Sequence, residues 1–315
     1  MPLRIGPYPI SDFLGRGGMG AVYLTRSRGG RSLAVKVIRS ELAANPDFRR
    51  RFAREVAAAR KVNGAYTAPV VDADTDCSEP WLATVFVPGC ALWDMVRAEG
   101  ALDGGRVRDL GAGLAEALID IHAAGIVHRD LKPHNVLMGS DGPRVIDFGI
   151  AHVADLPPLT DPGALLGTPQ FMSPEQIRGR GLTFASDVFS FGVVLAYAAT
   201  GGSPFGPGSN AQLLCRILHE EPDLSAVPAE LRQLVGACLA RRPEGRPSPG
   251  ELLELLASGG GSGAPTVRPG PQPHVPTVWD PGAEQGGADF TRNALAVLED
   301  GLTDIMVIEA AGYGG

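Results

Sequence analysis

His128-Arg129-Asp130-Leu131-Lys132-Pro133-His134-Asn135, followed by Asp147-Phe148-Gly149, is the stretch that decides the fold of this chain. It holds an acid able to accept a proton (Asp130) and a lysine able to hold a phosphate (Lys132). Two further side chains, Asn135 and Asp147, are of the oxygen-donor type that binds hard cations. Asp-Phe-Gly alone is a weak signal, since it arises by chance. The ordered pair is strong, and its flanks give it meaning.

Upstream, Phe13-Leu14 leads into Gly15-Arg16-Gly17-Gly18-Met19-Gly20, and the β-type run Ala21-Val22-Tyr23-Leu24 follows. A dinucleotide-binding turn would need a helix directly after the last glycine. Here come instead the turn Arg28-Gly29-Gly30 and a further strand, Leu33-Ala34-Val35-Lys36-Val37-Ile38. A glycine-rich hairpin of this kind can close over phosphates, because missing side chains let backbone N–H groups come near. Lys36 stands within an apolar strand, where an unpaired ammonium is costly. The plain alternative is a solvent-facing lysine on an alternating strand; its spacing from the glycine loop argues for a partner. Asn45-Pro46 then marks a helix start, and Phe48, Phe52, Val56 and Ala59 make its buried stripe, with Glu55 beside it.

Taken together and in this order, the motifs resemble those of the Ser/Thr protein kinases, most closely the bacterial members, over residues 8–256. The resemblance implies an α+β, two-lobed fold, with a small β-rich N-lobe carrying one helix (about 8–87) and a larger, mainly helical C-lobe (about 88–256). It implies that Glu55 holds Lys36 on the α- and β-phosphates of ATP. Asp130 would orient and deprotonate the acceptor hydroxyl, and Lys132 would touch the γ-phosphate. Asn135 and Asp147 would hold two Mg²⁺ ions, with Mn²⁺ as the substitute. Gly15, Gly17, Gly18 and Gly20 would cover the phosphates. Val22, Ala34, Thr84, Leu137 and Ile146 would wall the adenine, and Val85 and Val87 would offer it backbone groups; family members often have Glu at the position of Val85.

Further on, Gly167-Thr168-Pro169-Gln170-Phe171-Met172-Ser173-Pro174-Glu175 resembles the segment that contacts a polypeptide substrate, with Phe171 for the usual Tyr and Ser173 for the usual Ala. Asp187 would brace the catalytic loop, and Arg246 would pair with Glu175. The Asp130–Lys132 pattern and Thr168 point to Ser/Thr acceptors, the chain itself included. Arg129 would hold a phosphorylated Thr160, with one of Arg49 to Arg54 as a second contact. A nucleotide-binding scaffold would usually lack Lys36, Asp130 or Asp147, and a small-molecule phosphotransferase is not expected to carry the 167–175 segment.

Composition narrows the rest. The 315 residues can bury a large core, and a formal charge of −7 gives no reason to expect nucleic acid as a partner. The four cysteines, Cys77, Cys90, Cys215 and Cys238, show no metal or disulfide spacing and read as reduced thiols of a cytoplasmic protein. No secretory signal or membrane span is expected. Tyr66–Pro88 reads as two strands around an Asp72–Asp76 turn that lacks the calcium-loop glycine and glutamate. Residues 257–288 read as a Gly/Pro-rich linker and 289–315 as a short, poorly ordered tail. Pro-Thr-Val occurs twice in the linker, so Thr266 and Thr277 are candidate autophosphorylation sites for a phosphothreonine-reading partner, against the plainer reading of an inert spacer. A second copy of the chain is the remaining candidate partner.

Overall fold

The computed structural model describes residues 4–148 and 169–258, all within the first of two units, Met1–Gly261 and Ser262–Gly315. Thr160, Thr168, Thr266 and Thr277 lie outside the described residues.

The N-terminal part is an antiparallel sheet of β1 (Arg4–Ile5), β2 (Tyr8–Gly17), β3 (Gly20–Arg26), β4 (Ser32–Ile38), β5 (Val70–Asp74) and β6 (Trp81–Val85), in the order β1-β2-β3-β4-β6-β5. The helices are α1 (Ser40–Ala43), a single turn, and α2 (Pro46–Ala59). The start of α2 is set as the sequence predicts: the Asn45 side chain accepts from Asp47 N–H (2.8 Å) and Phe48 N–H (3.2 Å). Phe48, Phe52, Val56 and Ala59 are buried. The polar turn begins later than expected, because β5 runs through Asp74, whose carboxylate then caps the N–H groups of Asp76 and Cys77.

Register decides what the sheet presents. Val22 lies opposite Lys36, which lies opposite Leu82; Leu24 lies opposite Ala34, which lies opposite Thr84. Side chains alternate along a strand, so Val22, Ala34, Lys36 and Thr84 share one face. The other face, with Tyr23, Val35 and Ala83, closes on Ile5 and Trp81 as a separate small core.

Next come β7 (Cys90–Ala91), α3 (Leu92–Glu99), α4 (Gly104–Ala123), β8 (Val136–Gly139) and β9 (Gly142–Val145). They are followed by α5 (Pro174–Ile177), α6 (Phe184–Thr200), α7 (Asn210–His219), α8 (Ala229–Cys238) and α9 (Pro249–Ser258). In α6 every residue from Ser186 to Ala199 is buried, so it forms the axis of the main core, with α4 packed beside it through Leu110, Leu114, Leu118 and Ile121. A helix apolar all round is stable only when surrounded, and it ends at Gly201, whose φ of 75° suits glycine. Between α4 and β8 the chain makes a short 3-10 turn, Pro133–Asn135, so the loop that carries Asp130 is held at one end by α4 and at the other by the β7-β8-β9 sheet.

Candidate active site

The loop 128–135 is fixed from below. Asp187 of α6 is buried, and its carboxylate accepts from His128 N–H (2.8 Å), Arg129 N–H (2.9 Å) and the His122 Nε2 (2.8 Å). Three partners compensate a charge that would otherwise be costly to bury. Turning two successive N–H groups onto one carboxylate requires an unusual backbone, and Arg129 sits at φ 69°. His128 is itself buried, its Nδ1 accepting from Asp130 N–H at 3.3 Å, and its ring meets Phe148 edge-on.

Above this base, Asp130 is held by two partners. Lys132 Nζ lies 2.9 Å from Oδ2, and Asn135 Nδ2 donates to Oδ2 (3.1 Å) and to the Asp130 carbonyl (2.8 Å). Its side chain remains 48% exposed, so a substrate can reach it. Asp147 also has a positive φ, 57°, because Phe148 beside it turns inward to full burial. Lys36 Nζ meets Asp147 Oδ2 at 2.9 Å. Loss of water pushes the Asp147 carboxyl up, but the charge and hydrogen bond of Lys36, together with the charges of His128 and Lys132, hold it below the usual carboxylate range.

One expected pair is replaced. Glu55 is joined by Arg129 Nη1 at 3.1 Å, and the ion pair of Lys36 is with Asp147. The physical reason lies in the αL backbone at Arg129, which accompanies a guanidinium directed at α2, while Lys36 finds a nearer carboxylate in Asp147. One of the arginines of α2 also has a structural task. Arg49 donates to the carbonyls of Ala43, Thr75, Cys77 and Ser78 and so clamps the β5–β6 turn.

The glycine hairpin divides by role. Gly17 pairs with Gly20 across a turn of Gly18 and Met19, and the Met19 carbonyl accepts from Arg39 N–H at 2.9 Å. A Cβ on Gly20 would lie 1.8 Å from the Val37 carbonyl oxygen, so this glycine serves the sheet. A Cβ on Gly17 would meet nothing within 4 Å, which leaves its surroundings open to a ligand. Gly15 is half-buried and Gly18 exposed. Val22, Ala34, Thr84, Val87, Leu137 and Ile146 are all half-buried. The Val85 N–H is taken by the Pro69 carbonyl (3.1 Å), so of its backbone groups the carbonyl is the one left to offer.

The segment from Pro169 is tied to the same loop. Gln176 Nε2 donates to the Arg129 carbonyl at 2.8 Å. Ser173, which stands where the family usually has Ala, caps α5: its Oγ accepts from Gln176 N–H at 3.3 Å. Phe171 is buried edge-on to Tyr197, an environment that gives a phenol hydroxyl no purpose. Arg246 grips Glu175 with both arms, at 2.7 and 3.0 Å, as expected. Burial pushes the Glu175 carboxyl up, and the hydrogen bonds from Arg246 and Ser186 more than offset it, leaving it below the ordinary range. His122 and Gln176 were not among the expected residues. The signal for His122 was a histidine four residues after Leu118, at the edge of an apolar stripe; Gln176 carried none.

Known proteins bear on this geometry. The family model described as protein kinase domain matches residues 8–256. The chain belongs to the protein kinase family. It is 51% identical over 257 residues to the probable serine/threonine-protein kinase PkwA of Thermomonospora curvata, covering 82% of this chain and 35% of that one. It is likewise 51% identical over 257 residues to the serine/threonine-protein kinase AfsK of Streptomyces coelicolor, covering 81% of this chain and 32% of that one. The kinase chain thus spans about a third of these relatives' length. Among solved structures, the PknI kinase domain of Mycobacterium tuberculosis has the same fold (TM-score 0.62, 24% identity, 81% of this chain and 96% of that one). Rad53 in complex with AMP-PNP has TM-score 0.67 at 25% identity, covering 79% of this chain and 65% of that one. Membership of the family carries the use of ATP with a divalent cation. Among the described residues, no helix is long and apolar enough to cross a membrane.

Proposed function

We propose that this kinase moves the γ-phosphoryl group of ATP to Ser and Thr hydroxyls of proteins, its own included, as part of bacterial signalling in the cytoplasm. The observation that carries this reading is Asp130, reachable from solvent yet held in one orientation by Lys132 and Asn135 on a loop anchored to Asp187.

A hydroxyl reaching Asp130 would pass its proton to the carboxylate as its oxygen bonds to the γ-phosphorus and the bridging P–O bond breaks. Lys132 would then hold γ-phosphate oxygens, and the ATP chain would lie along the sheet face shared by Val22, Ala34, Lys36 and Thr84. The AMP-PNP bound by Rad53 supports the nucleotide part of this reading. The residues fit Mg²⁺ or Mn²⁺: Asn135 uses its Nδ2 on Asp130, which leaves Oδ1 as a ligand, and Asp147 is a part-exposed carboxylate held ionised. Such a cation, once bound, supplies charge that offsets the negative charge developing on phosphate oxygens.

Glu55 and Lys36 would come together when Arg129 is drawn off to a phosphate on Thr160. Phosphorylation adds up to about two negative charges and ~1–3 charge-assisted hydrogen bonds, enough to compete with a single carboxylate contact. Phosphorylated Thr266 and Thr277 would serve a phosphothreonine-reading partner.

Incubation with labelled ATP and Mg²⁺, alone and with a basic acceptor protein, tests the central reading. Label in phosphoserine and phosphothreonine supports it. Label in phosphotyrosine, or ATP hydrolysis without protein labelling, contradicts it.

A further inference from the structure

Three rings from three separate elements stand nearly parallel beside the catalytic loop. Tyr197 of α6 stacks on Trp93 of α3 (centroids 5.0 Å apart, 3° between planes), and Trp93 stacks on His134 (4.5 Å, 22°). Exposure rises along the run, from buried Tyr197 through half-buried Trp93 to exposed His134. Since Trp93 covers one face of the imidazole, the exposure of His134 belongs to its other face and edge. His134 follows Asp130 by four residues in the same loop, within the 3-10 turn that ends at Asn135. Phe171, edge-on to Tyr197, brings the substrate-contacting segment to the inner end of the same run.

We propose that the outer face of His134 is a specificity subsite that stacks an aromatic side chain of the acceptor polypeptide, a few residues from the phosphorylated hydroxyl. This rests on the protein-kinase reading. A flexible side chain on a loop tip would make a poor platform, but here the ring is backed by Trp93 and through it by the core helix α6. Aromatic pairs of this kind favour offset stacking at such distances. An arginine is the competing occupant, with Asp94 in the first turn of α3 as a nearby acid. Cations choose the face of Trp first among the rings, and the face of Trp93 on this side is covered by His134. The exposed imidazole is therefore better suited to a neutral ring.

The test uses the full chain with peptides carrying one fixed Thr in an alanine-rich background. Phe, Leu or Arg is placed at each of several positions on either side, and kcat/KM is measured. The readout is the ratio of kcat/KM to that of the all-alanine peptide, so a general change in activity cancels. At one position Phe should raise the ratio about threefold to tenfold. His134→Ala should bring it back to about one, and His134→Phe should restore it. Transfer to peptides with no Phe preference, a preference untouched by His134→Ala, or a preference for Arg would overturn the subsite and leave the kinase reading standing. Failure of wild-type chain to phosphorylate any peptide or itself would overturn both.

Discussion

Arg246 shows how much one side chain can hold. It is fully buried, grips Glu175 twice, donates to the carbonyls of Ala240 and Ala185, and lies over the Phe189 ring. Removing one partner of such a pair strands a buried charge, so Arg246→Ala should cost about 3–5 kcal/mol in urea unfolding, whereas removing both partners costs less. The pair also sets an acid limb. The folded-state pKa of Glu175 lies below its unfolded value, so its contribution is full above the ordinary glutamate range and disappears as pH falls through the lowered value. Glu175→Gln should flatten the stability profile in that window, measured by unfolding between about pH 3 and pH 6. Cysteines give a second check at this scale. Burial pushes the Cys238 thiol up to about 12, so it should resist alkylation in the native chain while exposed Cys90 and Cys215 react.

At the scale of elements, the glycine hairpin separates folding from ligand binding. Gly20→Ala forces a methyl group into the Val37 carbonyl and should lower stability by about 1–3 kcal/mol. Gly17→Ala, with open space around it, should leave the melting temperature nearly unchanged and raise KM for ATP. Loss of stability in Gly17→Ala without any change in KM would contradict this division. The hairpin, the stripe of α2 and the motif 128–135 were legible in the sequence because each is a local pattern: a turn chemistry, a helical period, a contiguous loop. Register was not: Val22, Ala34 and Thr84 were grouped only through the resemblance to kinases, and the face they share with Lys36 came with the strand pairing. Partner choice was not legible. Glu55 had more than one cation within reach in the fold, and spacing along the chain cannot rank Lys36 against Arg129. The Tyr197–Trp93–His134 run joins elements far apart in sequence, each with an aromatic that reads alone as ordinary core or surface. Ser173 looked like a departure from the family pattern until its cap on α5 explained it.

On the scale of the whole molecule, Arg129 joins the catalytic loop to Glu55 on α2, and its carbonyl is held by Gln176 of α5. Any force that moves Arg129 therefore acts both on Glu55 of α2 and on Gln176 of α5. Arg129→Ala should remove the difference in activity between phosphorylated and dephosphorylated chain, and Thr160→Ala should lower activity without changing stability. Full activity of Thr160→Ala, after dephosphorylation verified by mass spectrometry, would contradict the proposed contact. The central claim, that Asp130 is the group through which this fold performs phosphoryl transfer, has a more direct test. Transfer from ATP and Mg²⁺ to a Thr-containing acceptor is measured for wild type and Asp130→Asn, with ATP affinity measured separately. The account predicts a fall in transfer on the order of 10²–10⁴ with ATP binding largely intact. Near-normal transfer by Asp130→Asn would contradict it.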